Sequence, residues 1–197
     1  MPIRSLNLLK TYLPSPEIGS SFDARPLDDQ TLVMNMLSSE NDATYSFQGM
    51  KRRLGLHQEK LTRILKRLED DNLVLKTDEG YKVLHHSRKT TRHLDEGEPV
   101  IRGQLPPGID PILLTSKLKG RWFKNFRWLG YSTSGSGQSL YWITEDGRFQ
   151  LVVRIAPAEI LVWSQPTNEV ETHSSIAAGY ELFDRISRIL PETEDNS

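Results

Sequence analysis

No cysteine occurs among the 197 residues, so disulfides and thiolate metal sites are excluded. No apolar run approaches the roughly 20 residues that a bilayer-spanning helix needs. Residues 1–10 also lack the apolar stretch of a secretory signal. These absences predict a protein with no membrane partner and a cytoplasmic location. The catalytic signatures are missing too. There is no Gly-x-x-x-x-Gly-Lys phosphate loop, no His-Glu-x-x-His pair and no Gly-x-Ser-x-Gly elbow, and Gly135-Ser136-Gly137 reads as a hairpin loop. His85, His86 and His93 lie close together but without spaced acids, so solvent or phosphate contact suits them better than a metal. The chain is therefore expected to be no enzyme and to carry no catalytic residue, metal or cofactor.

An excess of one charge is absent overall, since 25 basic residues face 26 acidic ones for a net −1. That balance hides an asymmetry. Between Met50 and His93 stand 12 Lys/Arg against six Asp/Glu, a local +6 that leaves −7 for the rest. A basic module inside an acidic protein is the electrostatic footprint of nucleic-acid binding.

Apolar spacing divides the chain into an N-terminal extension (1–27), a first domain (28–84), a linker (85–98), a second domain (99–190) and an acidic tail (191–197). In the extension only Leu6, Leu9 and Leu13 line up on one helical face. Asp28 or Asp29 caps a first helix carrying Leu32, Val33, Met36 and Leu37, which ends at a polar loop, Ser38 to Thr44. Ser46 caps a second helix that closes at Gly55, and a third runs from about His57 to Asp71. Leu61, Ile64, Leu65 and Leu68 repeat at i, i+3, i+4 and i+7 and form its buried stripe. Leu73–Lys76 and Tyr81–Leu84 then flank Thr77-Asp78-Glu79-Gly80, where the glycine permits a hairpin turn. In the linker, Arg88, Lys89 and Arg92 are suited to touching phosphates.

The second domain reads as strand, helix, four strands, helix. Asp110-Pro111 starts the first helix, which carries Ile112, Leu113 and Leu118. Phe149 to Ile155 alternates as a strand of an antiparallel sheet with one covered face. Ile176, Tyr180, Phe183, Ile186 and Leu190 mark one side of the last helix, Ser174 to Leu190. The expected class is α+β, with an antiparallel sheet and two helices (β-α-β-β-β-β-α) in the second domain.

On the third helix the stripe faces inward, so Glu59, Thr62, Arg63 and Lys66 face outward, with Gln58 at the N-terminal end. Arg or Lys reads guanine, Gln reads adenine and Thr meets a thymine methyl. Lys51, Arg52 and Arg53 on the second helix suit phosphates, and Lys76 and Lys82 on the hairpin suit phosphates or the minor groove. The order helix, turn, helix, hairpin, together with the run Leu61 to Val74, resembles the winged helix-turn-helix transcription regulators, MarR-like, ArsR-like and archaeal. The match includes Leu68, Glu69, Leu73 and Val74 at the exit into the wing. The resemblance implies sequence-specific binding of duplex DNA, usually as a homodimer, by a regulator associated with the nucleoid. The order of elements in the second domain is similar to one half-repeat of the TATA-binding-protein-like fold. That domain is expected to serve dimerisation, a transcription-machinery partner or a small-molecule effector. The alternative is an adaptor in a transcription or replication complex, with the winged helix as a protein-docking module.

Arg121-Trp122-Phe123-Lys124-Asn125-Phe126-Arg127-Trp128 interleaves basic and aromatic residues. Such a strip suits single-stranded bases or an apolar pocket, but alternate aromatics on a strand more often face a core.

Overall fold

The computed structural model describes residues 28–40, 42–84, 98–134, 137–167 and 172–190. The expectations for residues 1–27, for His85, His86, His93, Arg88, Lys89 and Arg92, and for the acidic tail lie outside the described residues.

The fold is α+β. In chain order it runs α1 (Asp29–Leu37), β1 (Thr44–Tyr45), α2 (Phe47–Leu54), α3 (Gln58–Asp70), β2 (Val74–Thr77), β3 (Gly80–Val83), β4 (Ile101–Gln104), α4 (Pro111–Leu118), β5 (Phe126–Ser134), β6 (Gly137–Thr144), β7 (Phe149–Ile155), β8 (Glu159–Pro166) and α5 (Thr172–Ser187). Side-chain caps set three of the helix starts. Asp28 accepts from the Thr31 amide at 2.7 Å, Ser46 from Gly49 at 3.1 Å and Asp110 from Ile112 at 2.8 Å. Gly55 ends α2 in the left-handed region, φ 64°. No helix among the described residues is long and apolar enough to cross a membrane.

All eight strands form one antiparallel sheet in the order β2-β3-β1-β5-β6-β7-β8-β4. The segments 28–84 and 99–190 thus share a sheet. Strand β1 joins them, pairing Tyr45 with Tyr81 of β3 on one side and with Gly130 of β5 on the other. The expected polar loop from Ser38 to Thr44 therefore ends in a strand. Two residues are too few to show a period of two, so the sequence carries no strand signal there.

Period-two alternation sends side chains to two cores. Leu140, Trp142, Leu151, Val153 and Val162 meet Leu114 and Leu118 of α4 and Leu182 and Ile186 of α5. Tyr141, Val152, Leu161 and Trp163 point the other way, into the core that also holds Val33, Leu37, Met50, Leu61, Leu65 and Leu68. A fully buried side chain of this kind contributes about 1.5–3 kcal/mol, so each face anchors its own helical layer. Leu129 alternates into the second core, and a bulge between Trp128 and Gly130 rephases β5 so that Tyr131 packs against the first.

Close backbone approaches make the seam at β1 and α2. A Cβ on Gly130 would overlap the Thr44 carbonyl, and one on Gly80 (φ 144°) the Tyr45 carbonyl. A Cβ on Gly49 of α2 would lie 2.7 Å from the Leu129 Cα. The Ser46 amide donates to the Leu129 carbonyl at 2.8 Å, and the Ser46 hydroxyl to the Trp128 carbonyl at 3.2 Å.

Helix α5 corrects the expected stripe. Its buried residues are Ser175, Gly179, Leu182 and Ile186, whereas Ile176 and Tyr180 are exposed. Small residues on the inner side let the helix close on the sheet, with the Cβ position of Gly179 at 3.4 Å from Val100. On α4, Leu114 and Leu118 are buried while Ile112 and Leu113 face solvent.

Candidate nucleic-acid interface

Helix α3 buries Leu61, Leu65 and Leu68, with Ile64 half-buried against the same core. That orientation leaves Gln58, Glu59, Thr62, Arg63 and Lys66 exposed. The flank toward α1 is occupied, since Lys60 is ion-paired with Asp29 and Arg67 donates to Gln30 Oε1 at 3.4 Å. The opposite flank borders a cleft of about 540 Å³ between α3 and the hairpin, lined by Thr62, Lys66, Glu69, Asp70, Lys76 and Tyr81. Arg63, Lys66 and Lys76 have no ion-pair partner among the described residues. Cations therefore dominate residues 60–67, and the carboxylates Glu69 and Asp70 follow at the last turn of the helix.

The other sequence-predicted residues do not all join this surface. Lys82 pairs with Leu75, whereas Lys76 pairs with Tyr81, which packs toward α3. Lys82 consequently lies on the hairpin's other face. Lys51, Arg52 and Arg53 occupy the last turn of α2, where positive charge offsets the helix dipole. Arg53 turns inward, and its Nε donates to Gln150 Oε1 at 3.0 Å. Burial pulls its guanidinium below the usual arginine value, against the opposing influence of Tyr45. One guanidinium nitrogen of Arg52, Nη1, is buried without a hydrogen-bond partner among the described residues.

The hairpin is tight. Thr77 pairs with Gly80, leaving Asp78 and Glu79 as the two turn residues. Glu79 accepts a hydrogen bond from the Tyr131 hydroxyl and an ion pair from Lys119 at 3.4 Å, and Lys119 Nζ sits 3.6 Å from the centre of the Tyr131 ring. The Tyr131 bond, with Lys119, holds the Glu79 carboxyl below its ordinary value. A strand of the main sheet and the end of α4 thereby fasten the hairpin turn. Sequence reading missed this clamp because its members are 40 and 52 residues apart. Leu73, Leu75 and Leu84 of the hairpin remain about 40% exposed.

Among the described residues no group of three or more His, Asp or Glu side chains is arranged to hold a metal. No protein-family model, curated protein or solved structure matches the chain.

Proposed function

We propose that the chain is a sequence-specific transcription regulator that binds duplex DNA. On this reading residues 28–84 are a winged helix-turn-helix, α3 enters the major groove, and β2–β3 is the wing. The observation that carries the reading is the outer face of α3. Four groups able to contact bases or phosphates, Gln58, Thr62, Arg63 and Lys66, stand free on a helix whose opposite side is fixed in the core.

The chemistry follows from groove geometry. The major groove is about 12 Å wide and admits one α-helix. Arg63 is suited to guanine O6 and N7, Gln58 to adenine N6 and N7, and Thr62 to a thymine methyl. Lys66 and Lys76, on either side of the cleft, suit adjacent phosphates and set register. Lys51 and Arg52 can serve phosphates from α2. Arg53 is committed to Gln150, and Lys82 faces away from α3, so the reading no longer asks DNA contact of either. Two copies related by a two-fold axis would read a palindrome, and the protein would then sit on the nucleoid.

The test is selection of bound sequences from a random duplex library, followed by affinity against salt for the wild type and for Arg63→Ala/Lys66→Ala. A consensus should emerge, and the double variant should lose about 1–3 kcal/mol for each base contact removed. Absence of binding by wild type at low salt, or an unchanged double variant, would refute the proposal.

The exposed leucines of the hairpin favour a second reading, in which this unit is a docking module of a larger transcription or replication complex. A stoichiometric partner lost on Leu75→Glu, with no consensus from the library, would select it.

A further inference from the structure

The basic-aromatic strip splits into two parts. Phe123, Phe126 and Trp128 are buried in the core beneath α4, as alternate aromatics on a strand usually are. Trp122 is not, and stays 56% exposed while Trp128, Trp142 and Trp163 are all buried.

The loop that carries Trp122 is held from several sides. The Arg121 carbonyl accepts from Trp142 Nε1 at 2.8 Å, and the Arg121 amide donates to Leu118 at 3.1 Å. Phe123 and Phe126 exchange backbone hydrogen bonds of 3.0 and 2.7 Å around a two-residue turn. Lys124, in that turn, adopts a left-handed φ of 47°, which non-glycine residues rarely take. Arg127 donates to the Lys124 carbonyl at 2.6 Å, and its guanidinium lies 4.9 Å from the centre of the Trp122 ring. A large apolar ring thus stays more than half exposed on a turn held by hydrogen bonds from several sides. Arg121 and Lys124, exposed on either side, have no ion-pair partner among the described residues. Arg127 is already neutralised by Glu145 at 2.5 Å.

We propose that Trp122, backed by Arg127 and flanked by Arg121 and Lys124, is a stacking platform for an unpaired base of a single-stranded nucleic acid. An indole lying on a guanidinium extends the stack to a further flat π-face, and every nucleobase supplies one. The two free cations meet the phosphates on either side. Asn125, exposed in the same turn at the edge of a cleft of about 590 Å³, is available to the edge of a neighbouring base. This site is built from the turn between α4 and β5 and from Arg127, with no residue of α3, and its reality does not depend on duplex binding by α3.

Because the other three tryptophans are buried, the protein's own fluorescence reports on the site. The full chain is titrated at low salt with single strands of about 12 nucleotides, oligo(dT) in one arm and oligo(U) in the other. Binding should quench the exposed indole. The Trp122 variants lack that indole, so their affinity is read from the anisotropy of end-labelled strands: Trp122→Ala should weaken binding about tenfold, and Trp122→Phe by less, since a ring remains. Arg121→Ala/Lys124→Ala should flatten the salt dependence. Arg63→Ala/Lys66→Ala should leave single-strand binding intact. A preference for oligo(U) identifies RNA as the source of the base, and equal binding identifies single strands of either kind. The proposal is overturned by an absence of quenching in both arms, by unchanged affinity of Trp122→Ala, or by loss of single-strand binding in the Arg63/Lys66 variant.

Discussion

Gly49 in α2 and Gly179 in α5 pose the same question with opposite answers. Replacing a helix-interior glycine by alanine gains about 1 kcal/mol of helix propensity. At Gly179 the new methyl would meet Val100 Cγ1 at 3.4 Å and Ser164 Cβ at 3.6 Å, ordinary contact distances that leave most of the gain. At Gly49 it would meet the Leu129 Cα at 2.7 Å and both Leu129 Cδ1 and Ser46 Oγ at 2.8 Å. Carbon atoms pack at about 3.5–4.0 Å, so α2 and β5 must separate by most of an ångström. Overpacking of that kind costs about 1–3 kcal/mol. Disturbing the Ser46 cap adds about 1 kcal/mol. The balance for Gly49→Ala is a net loss of about 2 kcal/mol, or about 4–8 °C in melting temperature for a chain of this size. Gly179→Ala should melt at the wild-type temperature or up to about 3 °C above it. Thermal unfolding followed by circular dichroism measures both. A Gly49→Ala protein as stable as wild type would refute the close approach of α2 to β5. A Gly179→Ala protein as damaged as Gly49→Ala would refute the packing described for α5.

Two further outcomes follow from the electrostatics. Arg53→Ala should lower stability by about 1.5 kcal/mol, because a part-buried charged hydrogen bond to Gln150 is lost. The salt dependence of DNA binding, measured by fluorescence anisotropy, should stay as in wild type, and a flatter slope would return Arg53 to the phosphate contacts. The Asp146 carboxyl is held down to about 2, burial opposing the shift while hydrogen bonds from Thr144 and Arg148 outweigh it. Its folded value lies below its unfolded one, near about 3.9, so its stabilisation is present above about pH 4 and disappears as pH falls toward about 2. Asp146→Asn should therefore lose stability at neutral pH and show a shallower acid limb in urea unfolding. An acid limb identical to wild type would contradict that assignment.

Legibility in the sequence followed the strength of each local pattern. The α3 stripe at Leu61, Ile64, Leu65 and Leu68 follows the helical period, and the helix buries the three leucines with Ile64 half-buried beside them. Strand β7 has the expected ends, since Phe149 to Ile155 alternates between two turn signals, but both of its faces are covered rather than one, because Val152 and Gln150 lie under the α1–α3 layer. Helix α5 departs from its apolar pattern because hydrophobicity ranks Ile176 and Tyr180 above Ser175 and Gly179, while close packing on the sheet favours the small pair. Strand β1 and its glycines were invisible, since the need for glycine at positions 80 and 130 exists only once β1 lies between them. The site shows the same division. The outward face of α3 follows from the wheel, whereas the inward turn of Arg53 depends on Gln150, 97 residues away.

The two-residue strand also bears on how the chain can be divided. Thr44 and Tyr45 have one neighbour encoded before residue 84 and the other after residue 125. A fragment ending at Leu84 would lose the Leu129 carbonyl that accepts from Ser46, and would bare the side of Tyr45 that stacks 6.0 Å from Tyr141. The helical unit bearing α3 is therefore a lodger in the sheet. It cannot be lifted out, grafted or exchanged as a cassette without taking β5 and β6 with it.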